Sequence, residues 1–411
     1  MKSIALRPVP GPLCRIACLS VLWIAGCTPP PKGGDPGVLV DVRDLTAVMD
    51  SLAAGSGEEP ILQFRGISEV GIDTGPLAGT RHFWLGGVPI GAPGPLVTEE
   101  YLDGAILFTA TTADCYVIRQ KVDWEAFRPG GRAQPDFTLD ILELLRKARA
   151  AGFTRTLVEL DPIVDRHRIG PLPPAIAHET FAGPSVRHAL REQALMVVRE
   201  GRPDFLSLGV EINGYYESQP EDFDNFVSLH KEIYDEVKRI APETVVMPSF
   251  NLEAIQGLLR GVNPYSDHGP QWFLIDKFEP SLDAVAFSTL PFPVFYRPIQ
   301  IPADYIPQIQ RYTSRPIVLS EIGWTTSVQD GSDEQQQAEY VAIMARQALR
   351  TPQLKVMAWT IFFDAGDGSI FDSFPAFKYL GLLTPEGQPK PAFTTWAYLF
   401  QMPFVPAPEG P

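Results

Sequence analysis

The sequence predicts one α/β domain with a (β/α)8 barrel fold and a short N-terminal extension. From about residue 82 onward, short β-branched or aromatic runs alternate with longer segments of helical period, the order typical of parallel strands joined by helices. Eight such units fit within roughly 320 residues, as a (β/α)8 barrel requires. No GxGxxG or GxxxxGK[ST] motif follows a predicted strand, which disfavours a nucleotide-binding form of the main alternative, the doubly wound open sheet.

Composition indicates a folded protein for which nucleic acid is a poor partner. The 411 residues are 45% hydrophobic and 20% charged, and the formal net charge is −15 with no run of basic residues. A neutral glycan suits this acidic surface better than a phosphate-bearing partner does. The 41 prolines are spread over the connections, which predicts long, stiff loops on a compact scaffold.

The N-terminus has the pattern of a bacterial lipoprotein signal. Lys2, Arg7 and Arg15 precede the apolar residues 16–26, a stretch too short to span a bilayer as a helix. Residues 24–27, IAGC, resemble a lipobox, so residues 1–26 are a predicted signal peptide and Cys27 a predicted lipidation site, with an ordinary signal peptide as the alternative. A Pro/Gly-rich tether over 27–37 and an extension over 38–81 would then precede a catalytic domain at 82–402. We expect a lipid-anchored protein of the bacterial cell envelope, facing the periplasm or the exterior, with no protein partner evident.

The elements of the barrel follow in order. The predicted strands are residues 82–89, 115–122, 154–160, 205–211, 244–248, 284–289, 316–321 and 355–360. Amphipathic helices are predicted over 139–151, 186–200, 222–240 and 333–349, with a closing helix over 390–400. Ser185, Asp222 and Asp333 are candidate N-caps, the last with Gln336 three residues on.

Two glutamates end two of these strands. Glu211 follows an apolar run in DFLSLGVEINGYY, and Glu321 follows another in RPIVLSEIGWTT. Because the carboxyl ends of all strands meet at the mouth of a (β/α)8 barrel, we expect the two carboxyl groups to face each other there. Most glycoside hydrolases use such a pair of carboxyl groups for catalysis.

Over residues 82–400 the sequence resembles glycoside hydrolase clan A, most closely families 53 and 17. The shared features are a Glu at the end of strand four, a Glu followed by IGW at the end of strand seven, and a Trp at the end of strand eight. The resemblance implies a retaining hydrolase of β-linked glycans without a cofactor, with Glu211 as acid/base and Glu321 as nucleophile. Two such carboxyl groups about 5 Å apart repel when both are charged, which separates their roles. The resemblance also implies that Arg119, at the end of strand two, keeps the nucleophile ionised. Trp359 would be the indole platform for the sugar.

Further polar and aromatic residues lie at predicted strand ends or in the loops that follow. The candidate substrate-binding residues are Glu159, Asp161, Asn213, Tyr215, Tyr216, Asn251, Tyr296 and Asp364. Glu159 and Asp161 could equally pair with Arg166 or Arg168, whereas Trp324 is expected to pack.

Two positions depart from the clan pattern. Val210 stands where the clan has Asn before the acid/base, and Leu290 stands where strand six commonly has a Tyr that contacts the nucleophile. Tyr296 could substitute from the following loop. These departures keep a second hypothesis open, in which the protein is a catalytically inactive surface lipoprotein that binds a glycan. In a third hypothesis it is a purely structural lipoprotein of the envelope.

Other chemistries lack their motifs. The six histidines form no HExxH and no Cys pair suggests zinc, so no metal is predicted. There is no GxSxG, and Cys115 is expected to be a small core residue that leaves the body without an intrachain disulfide.

Overall fold

The computed structural model describes residues 77, 79–90, 98–131, 141–164, 167–259, 268–369, 371–372 and 374–407. The predicted signal peptide, Cys27, the tether and nearly all of the N-terminal extension lie outside the described residues.

The described strands form the predicted (β/α)8 barrel. Strands β1 to β4 are Trp84–Gly87, Cys115–Lys121, Arg155–Asp161 and Phe205–Leu208; β5 consists of Val245–Met247 and Ser249–Asn251; β6 to β8 are Val285–Thr289, Ile317–Ile322 and Leu354–Trp359. All pairs between these strands are parallel.

The barrel closes through β5, which is interrupted at Pro248. Its first segment pairs with β4 and its second with β6, so the one chain segment joins both sides of the sheet. Proline has no N–H to donate, but its carbonyl still accepts a hydrogen bond of 2.9 Å from the N–H of Ala286. The eight predicted strands therefore correspond to the eight strands of the barrel.

In the described part of the chain, six longer helices surround the strands: α1 Glu99–Thr109, α2 Ile141–Ala151, α3 Pro184–Met196, α4 Pro220–Ile240, α5 Glu334–Leu349 and α6 Pro391–Gln401. The expectation of eight helices was wrong for the part of the chain that the structure describes. Among the residues that the structure describes, the connection between β5 and β6 has only the short helices Leu252–Ile255 and Phe273–Asp276, and the connection between β6 and β7 has only the 3-10 turns Pro298–Gln300 and Pro307–Arg311. Prolines in this last connection restrict longer helices.

One of the three predicted N-caps is confirmed. Asp333 caps α5, since its carboxylate accepts a hydrogen bond from the N–H of Gln336 at 2.8 Å. Helices α3 and α4 instead begin after Gly183 and Gln219, each with a proline at its first position. Ser185 and Asp222 therefore lie inside the first turn.

The core has two layers. Small and medium side chains fill the barrel interior: Cys115, Val117, Leu157, Phe205, Met247, Ala284, Ala286, Val318, Val356 and Ala358. A larger layer of buried apolar residues lies between strands and helices. These residues pack the lower part of the barrel interior, and the polar side chains of the strand ends lie above them, at the mouth. Among the described helices, none combines the length and apolar character that a bilayer crossing requires.

Candidate active site

Alternation along β2 and β3 places their polar residues at the mouth of the barrel. Cys115 and Val117 face the interior, and two residues further on Arg119 does the same. Arg119 lies in register with Glu159 of β3, and its Nε donates to Glu159 Oε2 at 2.8 Å. A buried ion pair therefore sits directly above the apolar interior.

A bulge in β7 brings Glu321 into this site. Against β6, Leu319 pairs with Phe287 but Glu321 pairs with Ser288, so Ser320 is an extra residue in the strand. Glu321 therefore faces the interior: Oε2 accepts from Arg119 Nη1 at 2.6 Å, and Oε1 accepts from the Thr360 hydroxyl at 2.6 Å. Both oxygens are held by donors, one of them a cation.

The charges of this cluster are strongly coupled. Burial raises the pKa of Glu159, while the Arg119 guanidinium opposes that rise. Burial lowers the pKa of Arg119, but Glu159 and Glu321 more than offset this and raise it above its ordinary value. Arg119 therefore remains a cation shared by two carboxyl groups.

Glu211 lies in a tight turn after β4 rather than at its last residue. The strand ends at Leu208, and the turn includes Gly209 with φ +102° and Glu211 with φ +50°. A Cβ on Gly209 would lie 2.5 Å from Ile212 Cγ2, so only glycine fits. A non-glycine residue with positive φ stores backbone strain of the kind that is concentrated at functional sites. The predicted strand over 205–211 was thus three residues too long, because the sequence pattern does not mark where the strand ends and the turn begins.

Neutral donors hold the Glu211 carboxyl group. Its Oε1 accepts from Asn251 Nδ2 at 3.1 Å and from the Ser288 hydroxyl at 2.5 Å. Ser288 is also the register partner of Glu321, so both glutamates flank this one residue of β6. Glu211 is 2% exposed and Glu321 6% exposed. The structure thus brings the two sequence-predicted carboxyl groups to the same end of the barrel.

Four predicted sugar ligands make contacts within the protein in this structure, and their role as substrate contacts stays a prediction. Glu159 is fully buried against Arg119. Asp161 pairs with Lys121 at 2.6 Å, and Asp364 pairs with Lys390 at 2.6 Å and accepts from the Gly381 N–H. Asn213 donates to the Asn251 carbonyl at 3.1 Å and accepts from its N–H at 2.9 Å.

Trp359 is not a platform for a sugar, which corrects the prediction. It is completely buried on the outer face of β8, its indole N–H donates to the Leu380 carbonyl at 2.9 Å, and its ring meets Trp396 of α6. The interior position at this end of β8 belongs to Thr360, one residue later. Trp324 packs as predicted, with its indole N–H on the Ser332 hydroxyl.

The tyrosines differ in exposure. Tyr215 is buried and donates to Asp222 at 2.6 Å, whereas the half-buried Tyr216 lies edge-on against Phe223 and Phe273. Tyr296, in the connection after β6, is 76% exposed, and no described hydrogen bond joins it to Glu321. It does not replace the missing tyrosine of strand six but remains a candidate sugar contact.

Sequence reasoning missed three polar residues in or near the site: Ser288, Thr360 and Glu253, a further buried carboxyl group that is influenced by the charge of Glu211. Ser288 interrupts an otherwise apolar strand, and that signal could have marked it. Among the described residues, no group of three or more His, Cys, Asp or Glu side chains is arranged to hold a metal ion.

No model of a protein family and no curated protein matches this sequence. Solved structures do match. A GH5_18 from Bifidobacterium longum subsp. infantis has 18% identity, covers 81% of each chain and superposes with a TM-score of 0.56. A GH5_18 variant from Streptomyces cattleya in complex with Manβ1-4GlcNAc has 18% identity, coverage of 80% of this chain and 83% of that chain, and a TM-score of 0.56. The GH53 catalytic domain of Ignisphaera aggregans has 16% identity, coverage of 79% and 92%, and a TM-score of 0.51.

The chain has the barrel fold of these structures. The resemblance predicted from the strand-end motifs therefore holds at the level of fold, whereas membership of family 53 or 17 stays a prediction.

Proposed function

We propose that the protein is a retaining glycoside hydrolase of a β-linked glycan, with Glu211 as acid/base and Glu321 as nucleophile. The observation that carries this proposal is the pair of buried carboxyl groups on either side of Ser288 at the mouth of the barrel. A pair of carboxyl groups across a sugar-sized site is the requirement of this chemistry.

The surroundings of the two groups support this division of roles. The Arg119 guanidinium donates to Oε2 of Glu321 at 2.6 Å, so a cation orients the oxygen atoms of the proposed nucleophile. Asn251 and Ser288 are neutral donors to Oε1 of Glu211, in contrast to the cation that contacts Glu321. The asymmetry is that of an acid beside a nucleophile.

The reaction then runs in two steps. Glu211 donates its proton to the glycosidic oxygen while Glu321 attacks the anomeric carbon, which breaks the glycosidic bond and forms a glycosyl ester on Glu321. Water gives its proton to Glu211 and attacks the same carbon, releasing the sugar with its original β configuration. The bound Manβ1-4GlcNAc of a barrel with the same fold makes β-mannosides the first substrates to test.

The test is hydrolysis of mannans, galactans, glucans, xylans and Manβ1-4GlcNAc by the body from Thr28 onward. We expect release of reducing ends from one class, and a fall of about 1,000-fold or more in kcat/KM for Glu211→Gln on unactivated glycans and for Glu321→Gln. Glu339→Gln, which removes a charge from α5, is the matched control and should keep parental activity. Binding of a glycan without turnover would contradict the proposal and favour the inactive binding protein.

Azide separates the two roles. With an activated aryl β-glycoside, Glu211→Ala still forms the glycosyl ester, and azide should intercept it to give a β-glycosyl azide. Glu321→Gly should give the α-glycosyl azide, because azide then attacks the substrate directly. The opposite products would exchange the roles of the two residues.

We further propose that Cys27 carries the lipid of an envelope-anchored lipoprotein. Its place after the small residues Ala25 and Gly26 supports this. Labelled palmitate should enter the full chain expressed in a bacterium and not Cys27→Ser. Label in both the parent and Cys27→Ser would contradict the assignment.

A further inference from the structure

A further buried carboxyl group, Glu253, follows the strand that supplies Asn251. Glu253 belongs to the short helix Leu252–Ile255 that follows β5, and it is 2% exposed. Its Oε1 accepts from the Thr289 hydroxyl at 2.5 Å and from the Tyr305 hydroxyl at 2.6 Å. The proposed reaction assigns no step to it.

The two chain segments that hold Glu253 also hold Glu211. Asn251, two residues before Glu253, donates to Glu211, and its own Oδ1 caps the short helix through the Ala254 N–H at 2.8 Å. Ser288, one residue before Thr289, is the other donor to Glu211. The same two chain segments, the one around Asn251 and the one around Ser288, therefore position both carboxyl groups.

The groups that face Glu253 are carboxyl and phenol groups. Burial raises the pKa of Glu253 to about 7, the Thr289 and Tyr305 hydroxyls act to lower it, and the charge of Glu211 adds to the rise. Tyr305 and Tyr340 are buried phenols whose own pKa values are raised by burial and by the charge of Glu253, so both remain neutral, and Tyr305 donates to Glu253. Glu253 thus changes charge in the pH range where a general acid works.

We propose that Glu253 is a positioning residue that acts through Glu211: its ionised carboxylate favours the protonated form of Glu211 and so extends the action of the general acid to higher pH. This rests on the proposed function of Glu211. The interaction is reciprocal, since two nearby carboxyl groups titrate as a pair.

The first test is the pH profile of kcat/KM for the parent and Glu253→Gln. Glutamine keeps an oxygen that accepts from Thr289 and Tyr305 but removes the charge. The basic limb, which reports loss of the acid proton, should move to lower pH by about half a unit or more. Glu339→Gln is the control for a charge removed elsewhere and should leave the limb in place. A limb that does not move in folded Glu253→Gln overturns the proposal.

Thr289→Val is the second variant, for the case that Glu253→Gln does not fold. It removes one donor from Glu253, which raises the pKa of that group and leaves it less ionised at a given pH. The basic limb should move in the same direction by a smaller amount. A shift to higher pH would contradict the proposal.

A substrate-free titration separates this proposal from the proposed function. The carboxyl carbons of labelled glutamate are followed by NMR, with Glu211→Gln identifying the Glu211 signal. Glu211 should titrate at lower pH in Glu253→Gln than in the parent, even if no glycan is hydrolysed. An unchanged Glu211 titration contradicts the coupling, whereas a shifted titration with no hydrolysis contradicts only the proposed function.

Discussion

Arg119 is the side chain that joins the polar cluster of the barrel mouth. Its guanidinium donates from Nε to Glu159 and from Nη1 to Glu321, with each contact below 3 Å. The fork geometry of arginine allows both bonds at once, whereas a lysine ammonium is a point charge on a flexible stem. The orientation of Glu321 therefore depends on this one planar group.

Arg119→Lys tests this dependence. The charge is kept, but one of the two contacts is lost. The value of kcat/KM on the glycan that the parent hydrolyses should therefore fall about 10- to 100-fold, mainly in kcat. Arg128→Lys, in a half-buried pair with Glu125 at the protein surface, is the matched control and should stay within about twofold. Parental activity in Arg119→Lys would show that the guanidinium does not orient the nucleophile.

His230 makes the fold sensitive to acid. It is completely buried in α4, against the ring of Phe278 at 4.9 Å, and burial lowers its pKa to about 3. In the unfolded chain the imidazole titrates near pH 6.5. Between that pH and about pH 3, the unfolded state therefore binds a proton that the folded state does not bind. Stability from this group is complete above about pH 6.5 and is lost as pH falls toward 3, by up to about 1.4 kcal/mol per pH unit.

The free energy of urea unfolding, measured from pH 7.5 to 4, checks this expectation. His230→Leu should lose that part of the decline, while His268→Leu, at an exposed position, should decline as the parent does. Equal slopes in the parent and His230→Leu would contradict it.

At the scale of the element, strands were predictable and the connections at their ends were not. A buried parallel strand needs a continuous apolar run, and such runs marked all eight strands to within a few residues. The turn at Gly209 to Glu211 and the extra residue Ser320 depend on backbone conformations that no local pattern announces. Both glutamates reach the site through these irregularities, so their neighbourhood was predictable but their exact setting was not.

The face on which a side chain lies was the second source of error. In β8, Val356 and Ala358 face the barrel interior, so alternation assigns Thr360 to the inside and Trp359 to the helices. The clan resemblance favoured the tryptophan, while the alternation of small residues pointed to the threonine. Internal ion pairs such as Asp364 with Lys390, which lie far apart in sequence, had no local signal.

Gly209→Ala tests the turn that carries Glu211. An added Cβ would meet Ile212 Cγ2 at 2.5 Å and Phe226 Cζ at 3.0 Å, in addition to the strain of positive φ. Gly152→Ala is the matched control, because Gly152 has φ +99° with nothing within 4 Å of the added Cβ. We expect the control to lose about 1 kcal/mol of unfolding free energy with unchanged activity, and Gly209→Ala to lose more, with a fall in kcat. Equal effects in the two variants would contradict a turn that is closed by steric fit.

At the scale of the whole molecule, the two ends of the barrel have different tasks. At the N-terminal end, Arg81 pairs with Asp114 at 2.7 Å, while its backbone pairs with the segment near Phe404. At the opposite end lie Glu211, Glu321 and Arg119. In a (β/α)8 barrel the first end serves stability and the second serves chemistry.

Arg81→Met tests this separation. Loss of the guanidinium leaves Asp114 without its cation, so the free energy of unfolding should fall by about 3 kcal/mol, while kcat/KM of the folded protein should not change. Arg146→Met, an exposed control on α2, should change stability by less than about 0.5 kcal/mol. Loss of activity in Arg81→Met at a temperature where it is folded would contradict the separation.

The central claim is that Glu321 attacks the sugar and Glu211 protonates the leaving group. A 2-deoxy-2-fluoro β-glycoside of the preferred sugar, with a good leaving group, forms the glycosyl ester but hydrolyses it slowly, because fluorine destabilises the positively charged transition state. The mass of the intact protein should rise by one fluorosugar, and peptide mapping should locate it on Glu321, with no adduct in Glu321→Gln. An adduct on another residue, or turnover of the natural glycan with inversion at the anomeric carbon, would contradict the account.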